Sequence, residues 1–91
     1  QAIIVANRTV ERALNLAEKF NGTAIGLDEL FEHLHKADIV ISSTGAPNYV
    51  ITPKELAKAI NRRRNEPMFL IDIAVPRDID PAVNELDAVY L

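Results

Sequence analysis

Short apolar runs alternate with amphipathic segments along the whole chain, and this alternation restricts the fold more than any other feature. Runs rich in isoleucine, valine or leucine occupy residues 2–6, 39–41 and 68–73, and two further short strands are predicted at 23–26 and 88–91. Between them, apolar residues recur at helical spacing. Strands that are apolar throughout are typical of a parallel sheet covered on both faces. We therefore predict an α/β fold: a doubly wound, mostly parallel sheet with helices on both faces.

The predicted helices begin and end at capping residues. Thr9 is a suitable N-cap for the first helix, and Asn21-Gly22 ends it. Asp28 is the predicted N-cap of the second helix. The third helix starts at Thr52-Pro53-Lys54-Glu55, the pattern of a capping box, and ends in three arginines at 62–64. These arginines are expected to form a solvated helix end.

Composition excludes several classes of function. The 91 residues are enough for one domain, 1–91, and the net charge of −3 disfavours a general binder of polyanions. The absence of cysteine excludes a disulfide, a thiolate metal site and a cysteine nucleophile within the chain. His33 and His35 lie on different sides of a helix, so no metal site is predicted. Apolar stretches of about five residues are too short to cross a bilayer, and no signal-peptide pattern opens the chain, so we expect a cytoplasmic protein without membrane contact.

Polar residues follow three of the predicted strands. Ligands of open parallel sheets bind beyond the carboxyl ends of the strands. Here these positions hold Asn7-Arg8-Thr9, Ser42-Ser43-Thr44-Gly45 and Ala74-Val75-Pro76-Arg77. Hydroxyls and Gly45 suit contact with phosphate or ribose oxygens, although from the residues alone an ordinary turn with a cap is the preferred interpretation.

Arg8 is the most informative of these residues. In dinucleotide-binding sheets an acid after the second strand accepts from the 2′-hydroxyl of NAD, whereas an arginine accommodates the 2′-phosphate of NADP. A guanidinium can pair with phosphate through two hydrogen bonds, and Asn7 and Thr9 offer further donors. The sequence therefore predicts NADP rather than NAD. The alternative is a solvated turn that only caps the first helix.

Asp72 interrupts an apolar strand and needs backbone donors, a cation such as Arg77, or a ligand. We interpret it as a structural carboxylate that fastens the proline-rich loop, in preference to a catalytic base. No residue is predicted to be catalytic, because no nucleophile–base arrangement or P-loop is visible.

The usual first strand and glycine-rich turn of a dinucleotide-binding domain are missing from the pattern. Only six residues precede Asn7, whereas the ribose-reading residue normally follows the glycine turn by about 20 positions. We expect that strand and turn upstream of Gln1. Without them, the strands on either side of the missing one would face each other across ~10 Å, unless rearrangement or another chain fills the space.

Three segments resemble the NADPH-binding, Rossmann-like domain of glutamyl-tRNA reductases: VANRTVERALNLAEKF, ADIVISSTGAPNYVI and FLIDIAVPRDIDPAVNELDAVYL. The DIAVPRDIDP block is the discriminating one, since NRT is shared with shikimate dehydrogenases. The resemblance covers essentially all 91 residues.

The resemblance implies a function in tetrapyrrole, and hence porphyrin and heme, biosynthesis. Such an oxidoreductase reduces the glutamyl group of charged tRNA to glutamate 1-semialdehyde with NADPH, through a cysteine thioester. It implies that Asn7, Arg8 and Thr9 meet the adenosine 2′-phosphate and that Ser42, Ser43 and Thr44 line the cofactor groove. Ala74, Val75 and Pro76 would lie near the nicotinamide.

The resemblance also implies limits. The family's nucleophilic cysteine lies in an N-terminal domain, and the homodimer forms through a C-terminal helical domain, so glutamyl-tRNA would be engaged through domains outside these residues. The chain is therefore expected to be incompetent for catalysis alone. Two alternatives remain: another NADP-dependent dehydrogenase of the shikimate dehydrogenase type, or a non-catalytic α/β binding module. The module predicts a complete sheet within the 91 residues.

Overall fold

The computed structural model describes residues 2–91 and contains a five-stranded, all-parallel sheet. The strands are β1 (Ile3–Asn7), β2 (Thr23–Gly26), β3 (Ile39–Ser42), β4 (Met68–Asp72) and β5 (Val89–Tyr90). The helices are α1 (Val10–Phe20), α2 (Leu30–His33) and α3 (Pro53–Arg62), with 3₁₀ turns at Leu27–Glu29, Leu34–Lys36 and Pro81–Glu85. The predicted α/β class and Rossmann-like alternation of elements are confirmed.

The strand order is β2-β1-β3-β4-β5, without interruption. β1 pairs directly with β3, placing Val5 opposite Ile41 and Ala6 opposite Ser42. The expected gap between these two strands is therefore absent, and of the outcomes left open the sheet shows closure by rearrangement within the chain. Direct pairing satisfies backbone N–H and C=O groups that a gap would leave without partners.

Helices cover both faces of the sheet, as predicted. On one face, α1 packs Ala13 and Ala17 against Val5 and Ile41. The opposite face carries the larger core, formed with α2, α3 and the 3₁₀ turns. Its largest fully buried apolar side chains are Leu30, Leu34, Val40, Ile51, Leu56, Met68, Ile79 and Val83. Within residues 2–91, every helix is too short or too polar to traverse a lipid bilayer.

β4 is buried on one face only. Met68 and Leu70 lie in the larger core, whereas Phe69 and Ile71 are 51% and 46% exposed. The Phe69 ring stacks on Tyr90 of β5, with ring centroids 5.1 Å apart. α1 packs mainly on β1 and β2, so the same face of the sheet is left uncovered at Phe69 and Ile71 of β4.

The predicted caps are partly right. Thr9 and Thr52 occupy the N-cap positions of α1 and α3 with extended backbone, but neither side chain makes a capping hydrogen bond. Asn21 ends α1 in the left-handed conformation, as the Asn-Gly pair predicts. The N-cap prediction for Asp28 is wrong, because Glu29 is the N-cap of α2 and Asp28 lies inside the preceding 3₁₀ turn, whose own N-cap is Gly26.

Arg63 contradicts the prediction of a fully solvated end for α3. Its side chain is only 5% exposed and donates to Asp38 Oδ1 and the Pro67 carbonyl, both at 2.9 Å, and to the His35 carbonyl at 3.1 Å. Arg62 and Arg64 are exposed, as expected. Arg63 thus ties the end of α3 to the start of β3.

Candidate functional site

The carboxyl ends of β1, β3 and β4 meet at one edge of the sheet. In the parallel register, Ala6 lies opposite Ser42, and Ser42 lies opposite Asp72. The three polar segments that follow these strands are therefore neighbours. We call this edge, with the segments 7–9, 42–45 and 72–78, the candidate site.

Asn7 is buried and joins the first two segments. Its Nδ2 donates to the Ser43 carbonyl at 3.1 Å and to Ser43 Oγ at 3.0 Å. Its Oδ1 accepts from the Thr9 N–H at 3.2 Å. The side chain of Asn7 therefore fixes the turn that presents Arg8, and all its described hydrogen bonds are internal.

Arg8 and Thr9 are exposed at the mouth of this edge. Within residues 2–91, the ion pairs join Arg63 to Asp38 and to Glu66, so Arg8 has no carboxylate partner there. The hydroxyl of Thr9 makes no capping bond to α1. Both side chains therefore keep their hydrogen-bonding capacity for a ligand.

Asp78 organises the second segment. This carboxylate is completely buried and accepts from Ser42 Oγ at 2.6 Å, from the Thr44 N–H at 2.7 Å, from the Gly45 N–H at 3.0 Å, and from Thr44 Oγ1. Burial opposes its ionisation, but the hydrogen bonds from Ser42, Thr44 and Gly45 outweigh burial and lower the pKa of Asp78 below its ordinary value. Ser42 is itself fully buried, so its hydroxyl faces Asp78 and not the solvent.

Asp72 fastens the third segment through backbone donors. Its Oδ2 accepts from the N–H groups of Asp78 and Ile79, both at 2.8 Å, and its Oδ1 accepts from the Ala74 N–H at 3.1 Å. Arg77 donates to the carbonyl of Asp72, not to its carboxylate. The structural interpretation of Asp72 agrees with this geometry, and neutralisation by Arg77 is not the cause.

The second and third segments touch at Gly45. Its φ of +64° lies in the left-handed region, and a Cβ there would stand 3.1 Å from the carbonyl oxygen of Val75. Ala74 is buried, whereas Val75 and Pro76 are exposed, with Val75 at 89%. A cleft of about 360 Å³ opens beside these loops, lined by Pro47, Asn48, Tyr49, Pro76 and Arg77.

A family model described as "Shikimate / quinate 5-dehydrogenase" matches residues 1–91. The chain belongs to this dehydrogenase family. Its members are NAD(P)-binding dehydrogenase domains. The family description includes the shikimate dehydrogenases considered above, so individual relatives are needed to separate the two enzymatic alternatives.

The individual relatives are glutamyl-tRNA reductases, which confirms the resemblance. The chain is 69% identical to the glutamyl-tRNA reductase of Trichlorobacter lovleyi and 59% identical to that of Geobacter sulfurreducens, over all of its 91 residues and 21% of each relative. A solved structure, glutamyl-tRNA reductase from Methanopyrus kandleri, superposes with a TM-score of 0.77 at 42% identity. It matches 99% of this chain and 23% of that one. The chain thus spans about a fifth of the length of these relatives.

Within this family's fold, the structure brings together all three segments predicted from the strand ends. Asp78 is the residue of the site that sequence reasoning missed. The sequence did offer one cue to Asp78, namely an acidic residue directly before the apolar Ile79 and six residues after Asp72 of β4. Such a pattern does not show that the carboxylate turns inward, because Asp80, two residues later, only caps the next turn by accepting from the Ala82 N–H.

Proposed function

We propose that this chain is the cofactor-binding part of a glutamyl-tRNA reductase that uses NADPH. The match to glutamyl-tRNA reductases over the whole chain supports the enzyme, and the polar edge of the sheet supports the cofactor. The complete enzyme would reduce the glutamyl group of charged tRNA to glutamate 1-semialdehyde. Bound NADPH would supply the hydride for that reduction.

The observation that carries the cofactor assignment is the state of Arg8. It lies directly beyond the carboxyl end of β1, is exposed, and has no ion-pair partner within residues 2–91. No carboxylate stands at the adjacent positions 7 and 9, where an acid would favour the 2′-hydroxyl of NAD. These properties fit a residue that recognises the 2′-phosphate of NADPH.

The other predicted site residues divide into contact and positioning roles. Thr9, Ser43 and Thr44 are at least partly exposed and would line the groove. Asn7 and Ser42 are buried and hydrogen-bonded internally, so we assign them the task of holding the two segments in place. Val75 and Pro76 present the exposed surface proposed to lie beside the nicotinamide, and buried Ala74 supports it.

The remaining functions would come from other parts of the enzyme. A thioester nucleophile has to be supplied from outside these residues, because none of the 91 is a cysteine. We assign glutamyl-tRNA binding and homodimer formation to other domains as well, with the assembled protein in the cytoplasm. The chain by itself would then be catalytically incompetent.

The test is a cofactor titration of the full-length enzyme with Arg8→Ala, with Arg12→Ala as the matched control. Arg12 is also exposed, but it lies in the first turn of α1 and not at the strand end. Loss of a charge-assisted pair worth about 1.5–3 kcal/mol should weaken NADPH binding ~10- to 150-fold. NADH binding should change little, and Arg12→Ala should leave both affinities near the unsubstituted values. Equal weakening of NADPH and NADH, or no change in either, would refute the 2′-phosphate assignment.

One observation favours a second candidate function, a binding module without redox chemistry. That hypothesis predicts an uninterrupted sheet within the 91 residues, and the strand order is uninterrupted. The extent of the match to glutamyl-tRNA reductases favours the enzyme. A full-length enzyme in which bound NADPH shifts no NMR signal of residues 7–9, 42–44 or 74–76 would leave the module as the role of this segment.

A further inference from the structure

A second concave site lies on the face of the sheet that α2 and α3 cover, away from the candidate site. It is a cavity of about 370 Å³ between the segment 31–35 and one side of α3, lined by Phe31, Leu34, His35, Glu55, Lys58, Ala59 and Arg62. Its volume is within the range of small-molecule sites. It shares no residue with the candidate site, so the proposed cofactor function does not account for it.

The wall of this cavity combines an apolar surface with cations. Leu34 and Ala59 are buried, while the ring of Phe31 is 42% exposed. Lys58 and Arg62 are one turn apart on α3 and are exposed. Like charges at this spacing repel each other, and neither forms an ion pair within the part of the chain that the structure describes. Glu55 is the cavity's one carboxylate.

His35 adds a polar atom without a partner. Its Nδ1 is buried and has no hydrogen bond to any of residues 2–91. Burial, followed by the charges of Arg62, Lys36, His33 and Arg63, lowers the pKa of His35. The neutral form of the imidazole is therefore favoured, and the four groups that act on it through charge are all basic, although the chain as a whole carries −3.

We propose that this cavity binds a small organic anion with a planar apolar body. The body would lie against Phe31, Leu34 and Ala59, and the phosphate or carboxylate head would pair with Lys58 and Arg62. A ring nitrogen of His35 would supply one directional hydrogen bond. The structure explains why the sequence did not reveal this site: the arginine cluster has no aromatic neighbour along the chain, and Phe31 reaches it from another helix.

Phenyl phosphate is a suitable probe, because it joins a planar body to a phosphate head. Titration of the 91-residue chain, followed by NMR, should shift the signals of Phe31, His35 and Lys58 with a dissociation constant in the millimolar range. Inorganic phosphate should bind more weakly at the same residues, since it lacks the apolar body. Shifts confined to residues 7–9 and 42–45 would place the probe in the candidate site and refute the proposal.

Matched variants separate this site from unspecific charge effects. Arg62→Gln should weaken binding about two- to fivefold, the range of an exposed ion pair, whereas Lys54→Gln on the same helix should not. Phe31→Ala should weaken binding, and Phe20→Ala, which removes a similarly exposed ring from α1, should not. Arg8→Ala should not change phenyl phosphate binding, so this test remains valid even if the proposed NADPH contact of Arg8 is refuted. Equal effects of all these substitutions would overturn the proposal.

Discussion

At the level of single residues, Asp78 connects more of the candidate site than any other residue described, through both its side chain and its backbone. Its carboxylate holds the Ser42–Gly45 segment, its carbonyl accepts from Val50 and Ile51, and its N–H donates to Asp72. Every polar group of this buried residue is therefore used. A site of exposed loops can keep one geometry when such an anchor is present, because each buried donor would cost free energy if its acceptor were lost.

We expect Asp78→Asn to lower the free energy of unfolding by about 2–3 kcal/mol at neutral pH. An amide has only one acceptor oxygen, and its NH₂ would face the N–H donors of Thr44 or Gly45. Urea unfolding followed by circular dichroism measures the change. Asp80→Asn is the control, because asparagine caps a turn as well as aspartate does and should cost little. Equal stability of the two variants would contradict the anchoring role.

The same substitution has a predictable pH dependence. The folded pKa of Asp78 is lowered, so its stabilisation is fully present above the unfolded pKa of about 3.9 and is lost as pH falls through the folded pKa. The stability difference between the unsubstituted chain and Asp78→Asn should therefore be constant near neutral pH and shrink below about pH 4. Urea midpoints measured across this range would show it.

Residue positions were predictable from sequence where local chemistry decides and were missed where packing decides. Arg8 lies exposed beyond β1, as its place after a strand predicts, and its contact with a 2′-phosphate stays a prediction. The burial of Arg63 was not predictable, because Arg62, Arg63 and Arg64 are identical residues in sequence. Only the direction in which the helix end places each side chain turns Arg63 towards Asp38. Asp78 was missed for a similar reason: its partners Ser42, at the end of β3, and Thr44, just after it, lie more than thirty residues away in the sequence.

At the level of elements, β4 shows that an apolar run predicts a strand but does not determine whether both faces of that strand are buried. The segment 68–73 is as hydrophobic as β1, and from composition alone the two strands look equivalent. β1 has buried residues on both faces because α1 covers one of them. β4 alternates between buried and exposed residues, because α1 does not extend across it. Strand identity was therefore predictable, whereas burial depended on the position of a helix elsewhere.

This alternation gives a matched pair of substitutions. Leu70→Ala should lower the free energy of unfolding by about 2–5 kcal/mol, because it opens a cavity in the larger core. Ile71→Ala, the next residue, should cost less than about 1 kcal/mol, since nearly half of that side chain is already exposed. The free energies of unfolding of both variants, measured by urea denaturation, test this difference. A similar cost at both positions would mean that a second layer covers β4.

At the level of the whole molecule, the strand order raises a question about the complete enzyme. Five strands close into one sheet here, with β1 beside β3. The relatives are about five times longer, and the proposed dinucleotide site needs a glycine-rich turn that the pattern of these 91 residues lacks. If a further strand supplied that turn from between β1 and β3, the hydrogen bonds from Asn7 to Ser43 would have to give way.

Engineered cysteines can measure which strands are neighbours, because the chain has no cysteine of its own. Ile3, Ile39 and Phe69 lie side by side on β1, β3 and β4. In the 91-residue chain, Ile3→Cys with Ile39→Cys should oxidise to a disulfide, since adjacent strands are about 4.8 Å apart and a disulfide spans 4.4–6.8 Å between Cα atoms. Ile3→Cys with Phe69→Cys, two strands apart, should not. The reverse result in a folded chain would disprove the strand order.

The same pair in the full-length enzyme tests the expectation of an additional central strand. A strand inserted between β1 and β3 would move positions 3 and 39 to about 10 Å, beyond the reach of a disulfide. We therefore expect the 3–39 disulfide to form in the 91-residue chain and to be absent from the full-length protein, as mapped by proteolysis and mass spectrometry. Its formation in both would mean that β1 and β3 remain paired, so the pyrophosphate of NADPH could not be held by a turn between them. The binding module would then be the better account of this segment.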